Sequence, residues 1–380
     1  MKHILIAIDS FKGSLSSPEA GNAAADGIVR AFPGAVCTVR PLADGGEGTV
    51  EALTAGLGGE IREVTVHGPR RAPTAARYGI LRDKTAIMEM AQASGLPLLA
   101  PEERDPMVTT TCGVGEMILD AISQGCRSFI LGIGGSATND GGVGMLTALG
   151  WRFLDASGDP IPDGAAGLAR LARIDSSQVP AAVRECRFRV ACDVNNPLCG
   201  ERGCSAVYGP QKGATPENIP YMDALLSNYG TLTASVSPDA DPDFPGAGAA
   251  GGLGFALRAY LGAELVPGVE LILSATGMED AIAKSDIVVT GEGRLDRQTS
   301  MGKAPAGVAA LAKKYGKPVI AFSGCLGEGA RACNACGIDA YFPILPACLT
   351  PQQAMESEAA YRNLADTAEQ AFRLIRAFIS

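Results

Sequence analysis

The chain of 380 residues is long enough for two domains, each with a buried core of its own. Its formal net charge of −9 provides no basic field for a nucleic-acid backbone, which argues against a nucleic-acid-binding protein. No apolar run approaches the roughly 20 residues that span a bilayer, so neither a signal peptide nor a transmembrane segment is predicted. The 11 cysteines, an odd number scattered through apolar segments, indicate reduced thiols and a cytoplasmic protein.

The chain begins with two strand–loop–helix patterns. Ile4–Ile8 is predicted as a strand, followed by the loop Asp9–Ser14 and by a helix with Ser17 as its N-cap. Cys37–Leu42 is predicted as a second strand, which ends in the glycine-rich loop Ala43–Gly48. Alternating strands and helices of this kind favour a parallel sheet.

Three consecutive strands then replace the alternation. The segments Ile61–Val66, Ala75–Leu81 and Ala86–Met90 predict an antiparallel meander. An amphipathic helix, Thr109–Gln124, leads to the buried strand Phe129–Ile133. This change of rhythm indicates a second domain.

The middle of the chain is less regular. A strand is predicted over Phe188–Cys192, and residues 237–254, rich in Pro, Gly and Asp, are predicted as a long loop. From Asp286 the alternation returns with a strand at Ile287–Thr290, a loop at Gly291–Gly302 and a helix that begins at Lys303. Two more strands, near residues 318–323 and 341–345, and a long amphipathic helix close the chain.

Two strands before residue 45 and three after residue 285 predict one small parallel sheet with helices on both faces. The predicted domains are therefore residues 1–45 plus 285–380, and an inserted α/β domain of residues 46–284 that contains the meander. Both junctions are rich in glycine, which predicts a cleft between the domains.

The strand Phe129–Ile133 ends in a glycine-rich turn, and an apolar segment of helix length follows. A strand, such a turn and a helix N-terminus together aim backbone N–H groups at an anion. We therefore predict that a phosphate group lies on the turn residues Gly134, Gly135, Ser136, Thr138, Asn139, Asp140 and Gly141. The alternative is a tight packing turn without a ligand.

Five strands end in similar polar loops, and ligands of open α/β sheets bind beyond the carboxyl ends of strands. The acids predicted to converge there are Asp9, Asp44, Asp140, Asp193, Glu292 and Asp296. Acids beside a phosphate-binding turn suit Mg²⁺. The nearby cations suited to neutralise a transferred phosphate are Lys12, Lys212, Arg294, Arg297 and Lys303. Each acid has a structural alternative as a helix cap or a turn residue.

The usual nucleotide signatures are missing. The sequence has no G-x-x-x-x-G-K-[ST] loop, no kinase-type catalytic loop and no dinucleotide fingerprint. The residues alone therefore predict a two-domain α/β enzyme with an anion site that catalyses phosphoryl transfer, and they do not specify a substrate.

Several long motifs resemble those of the type I bacterial glycerate kinase family. These are Asp9–Ser14, Ala43–Thr49, Gly132–Gly142, Tyr208–Gly213 and the segment from Gly291-Glu292-Gly293 to Gly302-Lys303. The resemblance implies a flavodoxin-like parallel α/β sheet domain with an inserted restriction-endonuclease-like α/β domain. It also implies ATP- and Mg²⁺-dependent phosphorylation of D-glycerate, most often to 2-phosphoglycerate, in glyoxylate, glycerate or sugar-diacid catabolism.

These inferences combine into a hypothesis for the site. The ATP phosphates lie on Gly134–Gly142 and near Lys303, and Mg²⁺ is held by two of Asp193, Glu292 and Asp296. One cation grips the glycerate carboxylate, and the candidates are Lys12, Lys212 and Arg294. Asp193, or else Asp44, orients the attacking hydroxyl.

Two other functions stay open from sequence. A nicotinamide-dependent hydroxyacid dehydrogenase also needs glycine-rich turns and a cation, although the missing fingerprint and the two histidines count against it. A non-catalytic sugar-acid binding protein is the other alternative, although gathered carboxylates repel one another and are costly for binding alone. In each case we expect a small-molecule ligand and a monomer or homodimer.

Overall fold

The computed structural model describes residues 2–43, 45–46 and 48–379, apart from the side chain of Ile379. Within those ranges, no helix is both long enough and apolar enough to cross a membrane. The strands, in chain order, are β1 (His3–Ile8), β2 (Val36–Val39), β3 (Glu60–His67), β4 (Pro73–Ile80), β5 (Thr85–Glu89), β6 (Ser128–Gly132), β7 (Arg152–Leu154), β8 (Arg173–Asp175), β9 (Arg187–Ala191), β10 (Glu264–Val266), β11 (Ile287–Leu295), β12 (Val319–Leu326) and β13 (Ala340–Pro343).

The α-helices, in the same order, are α1 (Ser17–Ala31), α2 (Thr49–Gly56), α3 (Ala91–Ser94), α4 (Cys112–Ser123), α5 (Val143–Ala148), α6 (Gly164–Gly167), α7 (Ala181–Arg184), α8 (Cys204–Tyr208), α9 (Asn218–Ala234), α10 (Ala249–Leu261), α11 (Gly268–Ala275), α12 (Met278–Lys284), α13 (Ala304–Lys314), α14 (Ala332–Ala335), α15 (Pro351–Ala354) and α16 (Ser357–Ile379). Several short helices, α3 and α6 among them, connect the longer elements.

The chain forms two compact units. Unit 1 holds the described residues of the ranges 1–44, 51–58 and 269–380, and unit 2 holds those of 45–50 and 59–268. Unit 1 therefore includes α12 and nearly all of α11, which the sequence-based division at residue 285 assigned to the inserted domain. Helix α12 packs against α13 and β1, and Val269 lies against Gly307 of α13. That division, as a statement about folding domains, stays a prediction.

Unit 1 is built on a five-stranded sheet in the order β13-β12-β11-β1-β2, and all of its neighbours pair in parallel. Numbered along the chain within this unit, the order is 5-4-3-1-2, which is the flavodoxin-like doubly wound order. The predicted parallel sheet with a flavodoxin-like order is confirmed.

Helices cover both faces of this sheet. Ile4, Ile6 and Ile8 point into a core shared with α1 and α16, while Leu5 and Ala7, which alternate with them, are buried on the opposite side. Helices α12 and α13 pack against β1 there. The α1–α16 contact is close enough that a Cβ on Gly27 would lie 2.0 Å from the carbonyl oxygen of Ala365.

The N-terminus of α1 differs by one residue from the prediction. Ser16, not Ser17, is the N-cap, and it forms a capping box with Glu19. The hydroxyl of Ser17 instead donates to the carbonyl of Ile8 (2.6 Å) and accepts from the N–H of Leu42 (3.0 Å). Ser17 therefore ties the end of β1 to the segment after β2, a role that a capping pattern does not reveal.

The prediction that the loop begins at Gly291 is wrong. Strand β11 continues to Leu295, and its last residues pair with β12 through Arg294 opposite Cys325 and Leu295 opposite Leu326. Glycine permits this close approach, because a Cβ on Gly291 would lie 2.1 Å from the carbonyl oxygen of Phe322. The extension places Glu292 on the strand and Asp296 directly after its last residue.

Unit 2 contains a six-stranded mixed sheet in the order β10-β9-β6-β5-β4-β3. The predicted meander is confirmed, because β3 pairs antiparallel with β4 and β4 pairs antiparallel with β5. The remaining neighbours, β5 with β6, β6 with β9 and β9 with β10, pair in parallel. Phe129 of β6 stacks on Phe188 of β9 with ring centroids 4.7 Å apart. The shorter strands β7 and β8 form a separate pair.

The long loop predicted over residues 237–254 ends earlier than expected. Helix α10 begins at Ala249, and three residues inside it, Ala250, Gly251 and Gly252, are left-handed. A Cβ on Gly251 would lie 2.0 Å from the carbonyl oxygen of Thr138. The glycines that suggested a loop therefore allow this kinked helix to pack directly on the turn after β6.

Candidate active site

Unit 1 contains a cavity of about 520 Å³ at the carboxyl edge of its parallel sheet. Residues that follow β1 and β13 line it, together with the last residues of β11 and β12 and the residue before α13. In doubly wound sheets, ligands bind at this edge, where the strand order reverses. Here the reversal lies between β1 and β11.

The loop after β1 presents a lysine to this cavity. Phe11 and Leu15 exchange backbone hydrogen bonds (2.8 and 3.0 Å), which closes a tight loop with Gly13 in the left-handed conformation. Lys12 lies exposed at its tip, and Asp9 at its base accepts a hydrogen bond from the N–H of Ser10 (2.6 Å). Asp9 and Lys12 both line the cavity.

Two acids lie at the end of β11 and are joined by a buried hydroxyl. The Thr299 hydroxyl donates to Glu292 Oε1 (2.5 Å) and accepts from the backbone N–H of Asp296 (3.1 Å). Asp296 Oδ1 accepts from the N–H of Gln298 (2.8 Å), and its Oδ2 lies 3.4 Å from Arg294 Nε. The Thr299 hydroxyl therefore links the Glu292 carboxylate to the backbone of Asp296.

Lys303 joins this group from the opposite end of the same loop. It is the N-cap residue of α13, its side chain makes no capping hydrogen bond, and it lines the cavity. A lysine at a helix N-terminus opposes the helix dipole, and both the cation and the terminal N–H groups favour an anion. This end of the cavity therefore suits phosphate or carboxylate oxygens.

The same residues fit a divalent cation. Glu292 and Asp296 supply hard carboxylate oxygens on one strand end, and Glu292 is 8% exposed. Mg²⁺ is bound in this way by one or two carboxylates together with substrate phosphates. Asp193, the third acid predicted as a metal ligand, belongs to unit 2, where it is exposed and its Oδ1 accepts from the N–H of Gly268 (2.8 Å).

In unit 2, the predicted phosphate-binding turn is largely occupied by contacts within the protein. The carboxylate of Asp140, 1% exposed, accepts from the N–H and hydroxyl of Thr111 (2.9 and 2.8 Å) and from the N–H groups of Gly142 and Gly144 (both 3.1 Å). Burial raises the pKa of Asp140, and these hydrogen bonds act in the opposite direction. Asp140 thus connects the start of α4 with the start of α5.

Other N–H groups of the turn are also used within unit 2. That of Gly141 donates to the carbonyl of Gly251 (3.0 Å), and that of Thr138 donates to the Ser136 hydroxyl (3.1 Å). The side-chain amide of Asn139 donates to the Ser205 hydroxyl (2.9 Å). Gly134 and Gly135 are the exposed residues of the turn, so a ligand reaches it most directly there.

Lys212, predicted to grip a carboxylate, is buried beneath this turn. It is 2% exposed, and its ammonium donates to the carbonyl of Thr138 (2.6 Å) and to the Ser136 hydroxyl (3.4 Å). Burial lowers the pKa of Lys212 to about 8, an effect that Cys204 and Asp140 partly offset.

The structure therefore brings six of the predicted residues together in one cavity of unit 1: Asp9, Lys12, Glu292, Arg294, Asp296 and Lys303. The predicted turn residues and Lys212 form a second group in unit 2. Asp44, also predicted as catalytic, lies outside the described residues. The roles assigned to all of these residues stay predictions.

Sequence reasoning missed Thr299 and the apolar part of the cavity. Thr299 lies three residues after Asp296, a spacing typical of a side-chain turn, which was the available signal. The apolar lining after β13 gave no signal, because isolated apolar residues in a proline-containing loop are ordinary.

The fold and the cavity define a doubly wound α/β protein whose parallel sheet carries a cavity with charged side chains at its carboxyl edge. A model of the glycerate kinase family matches residues 4–376. The chain belongs to this family.

The relatives agree with this assignment. A protein named glycerate kinase from Halalkalibacterium halodurans is 47% identical over 96% of this chain and 98% of its own length. One named glycerate 2-kinase from Escherichia coli is also 47% identical, over 95% and 94%. A crystal structure described as glycerate kinase 2 from Salmonella typhimurium LT2 superposes with a TM-score of 0.92, at 45% identity and 99% coverage of both chains.

Proposed function

We propose that this protein transfers the terminal phosphate of ATP to D-glycerate, with 2-phosphoglycerate as the product. Membership of the glycerate kinase family supports glycerate as the substrate, and the relative named glycerate 2-kinase supports the position of the phosphate. Family membership also favours a kinase over the dehydrogenase and the sugar-acid binding protein that the sequence left open. The product would serve glyoxylate, glycerate or sugar-diacid catabolism.

The observation that carries the proposal is the charged end of the unit 1 cavity. Lys12, Arg294 and Lys303 line it together with Glu292 and Asp296. Phosphoryl transfer depends mainly on positioning and on neutralising charge, and this arrangement supplies cations beside a pair of carboxylates. In our proposal, Lys303 and the N-terminus of α13 hold phosphate oxygens.

Glu292 and Asp296 are the residues proposed to hold Mg²⁺. The bound ion would neutralise charge on the phosphates, as it does in other kinases. The buried hydroxyl of Thr299 keeps the two carboxylates in place, since it contacts Glu292 directly and the backbone of Asp296. Arg294 lies beside Asp296, and we propose that Arg294 binds the carboxylate of glycerate.

Phosphorus NMR of the product made from ATP and D-glycerate tests the proposal directly. We expect ADP to form only when D-glycerate is present, and the new phosphate resonance to couple to the single proton on C2. Coupling to the two protons on C3 would show that the 3-hydroxyl is phosphorylated and would contradict the proposed position. NADH formation from NAD⁺ and glycerate, without ADP, would contradict the kinase function.

A further inference from the structure

The cavity of unit 1 changes in character from one end to the other. Where β1 and β11 end, the wall carries charged side chains, among them Lys12, Glu292 and Lys303. Beyond β13, the wall is apolar and consists of Ile344, Leu345 and Leu349, whereas Met355, just after α15, lies against Gly13 in the loop after β1. One cavity therefore offers both an ionic and an apolar surface to a ligand.

The strand order sets the distance between these two surfaces. Strands β1, β11, β12 and β13 are consecutive neighbours in the sheet. Neighbouring strands lie about 4.8 Å apart, so three spacings separate the two ends by roughly 14 Å. This length is comparable to that of an extended nucleoside triphosphate measured from its terminal phosphate to its base. Glycerate, with three carbons, is much shorter.

The apolar wall also suits a nucleotide better than glycerate. Glycerate consists of a carboxylate, two hydroxyls and a short carbon chain, so it has no large apolar surface to cover. A purine base has two extensive apolar faces, which aliphatic side chains bury favourably. The cavity volume of about 520 Å³ lies within the usual range for sites that enclose a complete small molecule.

We propose that this cavity binds the ATP molecule along its whole length, with the adenine on the apolar wall of Ile344 and Leu349 and the phosphates at Lys12 and Lys303. The topological switch between β1 and β11 places the phosphates where such sheets bind ligands. This inference rests on the proposed kinase function. It replaces the hypothesis that the turn 134–142 holds the phosphates, because many N–H groups of that turn already donate within unit 2.

Photolabelling with 8-azido-ATP locates the base directly. Trypsin cleaves after Arg331 and Arg362, so residues 332–362, which contain the apolar wall, form one peptide. The turn lies in a second peptide, residues 128–152. We expect the ATP-protected label in the 332–362 peptide, without protection by D-glycerate. An ATP-protected label confined to the 128–152 peptide, or to any other peptide, would overturn the inference.

A substitution on the apolar wall gives an independent measurement. We expect Leu349→Asp to raise the KM for ATP at least tenfold and to leave the KM for D-glycerate within about twofold, since a charge on the wall opposes only the base. Inorganic triphosphate, which lacks a base, should inhibit the variant and the parent protein equally. Leu374→Asp is the matched control, since Leu374 is exposed on α16 and does not line the cavity.

The outcomes separate this inference from the proposed function. If D-glycerate is phosphorylated but Leu349→Asp leaves the KM for ATP unchanged, or raises both KM values equally, the base lies elsewhere and the inference is wrong. If 8-azido-ATP labels the 332–362 peptide but D-glycerate is not phosphorylated, the nucleotide site stands and the proposed substrate is wrong.

Discussion

The loop after β6 in unit 2 and the segment of unit 1 that runs from the end of β11 into the next loop both combine glycines with acids at the carboxyl end of a buried parallel strand. In unit 2, four donors from the protein itself surround the Asp140 carboxylate, which is almost fully enclosed. In unit 1, Glu292 and Asp296 line a cavity together with cations. Similar sequences therefore have an internal structural role in one unit and face a ligand-sized space in the other.

The difference shows what decides the role of an acid after a strand. Where neighbouring N–H groups donate to the carboxylate, the carboxylate stabilises its own loop. Fewer N–H groups of that loop are then left to donate to a ligand. Where the acid lines a cavity, as Glu292 does beside the Thr299 hydroxyl, the group can still serve an external ion or phosphate. The predictions below test this contrast, beginning with the largest expected effect.

Removing the Asp140 carboxylate should have the largest effect, a loss of stability. Asp140→Ala leaves buried donors of Thr111, Gly142 and Gly144 without their acceptor, so we expect the free energy of unfolding to fall by roughly 4 kcal/mol. Urea denaturation measures the loss. Asp159→Ala, an exposed acid of unit 2, is the comparison. A stable Asp140→Ala protein that has lost only ATP binding would show instead that Asp140 serves the ligand.

The buried Lys212 should make unit 2 more stable at alkaline pH. In the folded state the pKa of the Lys212 ammonium is lowered to about 8. As the pH rises, the folded protein therefore loses the ammonium proton before the unfolded protein does, and the free energy of unfolding increases. From about pH 7.5 to about pH 9.5, we expect the free energy of unfolding, relative to that of Lys212→Met, to rise by roughly 2 kcal/mol. If the free energies of unfolding of the two proteins changed with pH by the same amount, burial would not lower the pKa of Lys212.

In unit 1, Lys303→Ala should lower turnover roughly a hundredfold, because a charge contact to the transferred phosphate is lost. Its unfolding midpoint should hardly change, since the Lys303 side chain makes no capping hydrogen bond. ADP release in a coupled assay measures the first expectation. Lys314→Ala, at the exposed end of the same helix, should behave like the parent protein. Near-normal turnover of Lys303→Ala would show that Lys303 does not contact the transferred phosphate.

The smallest effect is expected at the hydroxyl that positions the acids. Thr299→Val removes the hydrogen bond to Glu292 Oε1, and we expect about tenfold weaker activation by Mg²⁺, with little change in the KM for D-glycerate. Thr299→Ser keeps the hydroxyl and should restore activation. If the serine variant is as impaired as the valine variant, the methyl group and not the hydroxyl is what matters.

Much of the fold was accessible from sequence because periodicity reflects burial. The alternation around Ile4–Ile8 and after residue 286 was sufficient for the parallel sheet, and the run from Ile61 to Met90 was sufficient for the meander. Glycines were misread in two places, at Gly291 and around Gly251. There, close backbone contact rather than a loop explains the glycine, and the contacting partner is distant in sequence.

The site was only partly accessible for a related reason. A sequence shows which acids follow strands, but it does not show how many N–H groups surround each one. Asp140 and Asp296 therefore looked equivalent. Lys212, between a proline-containing turn and Gly213, resembled a solvated loop lysine, and only the fold shows that its ammonium is enclosed.

The pairing of β1 with β11 also bears on how the chain folds as it is made. Ile4 pairs with Ile287, and α1 packs against α16, so β1 and α1 wait for partners that are synthesised much later. Unit 2 emerges from the ribosome in full before those partners exist. The apolar faces of β1 and α1 that cover β11 and α16 in the folded protein thus lack those partners while unit 2 is synthesised, and we expect chaperones to bind them during that interval.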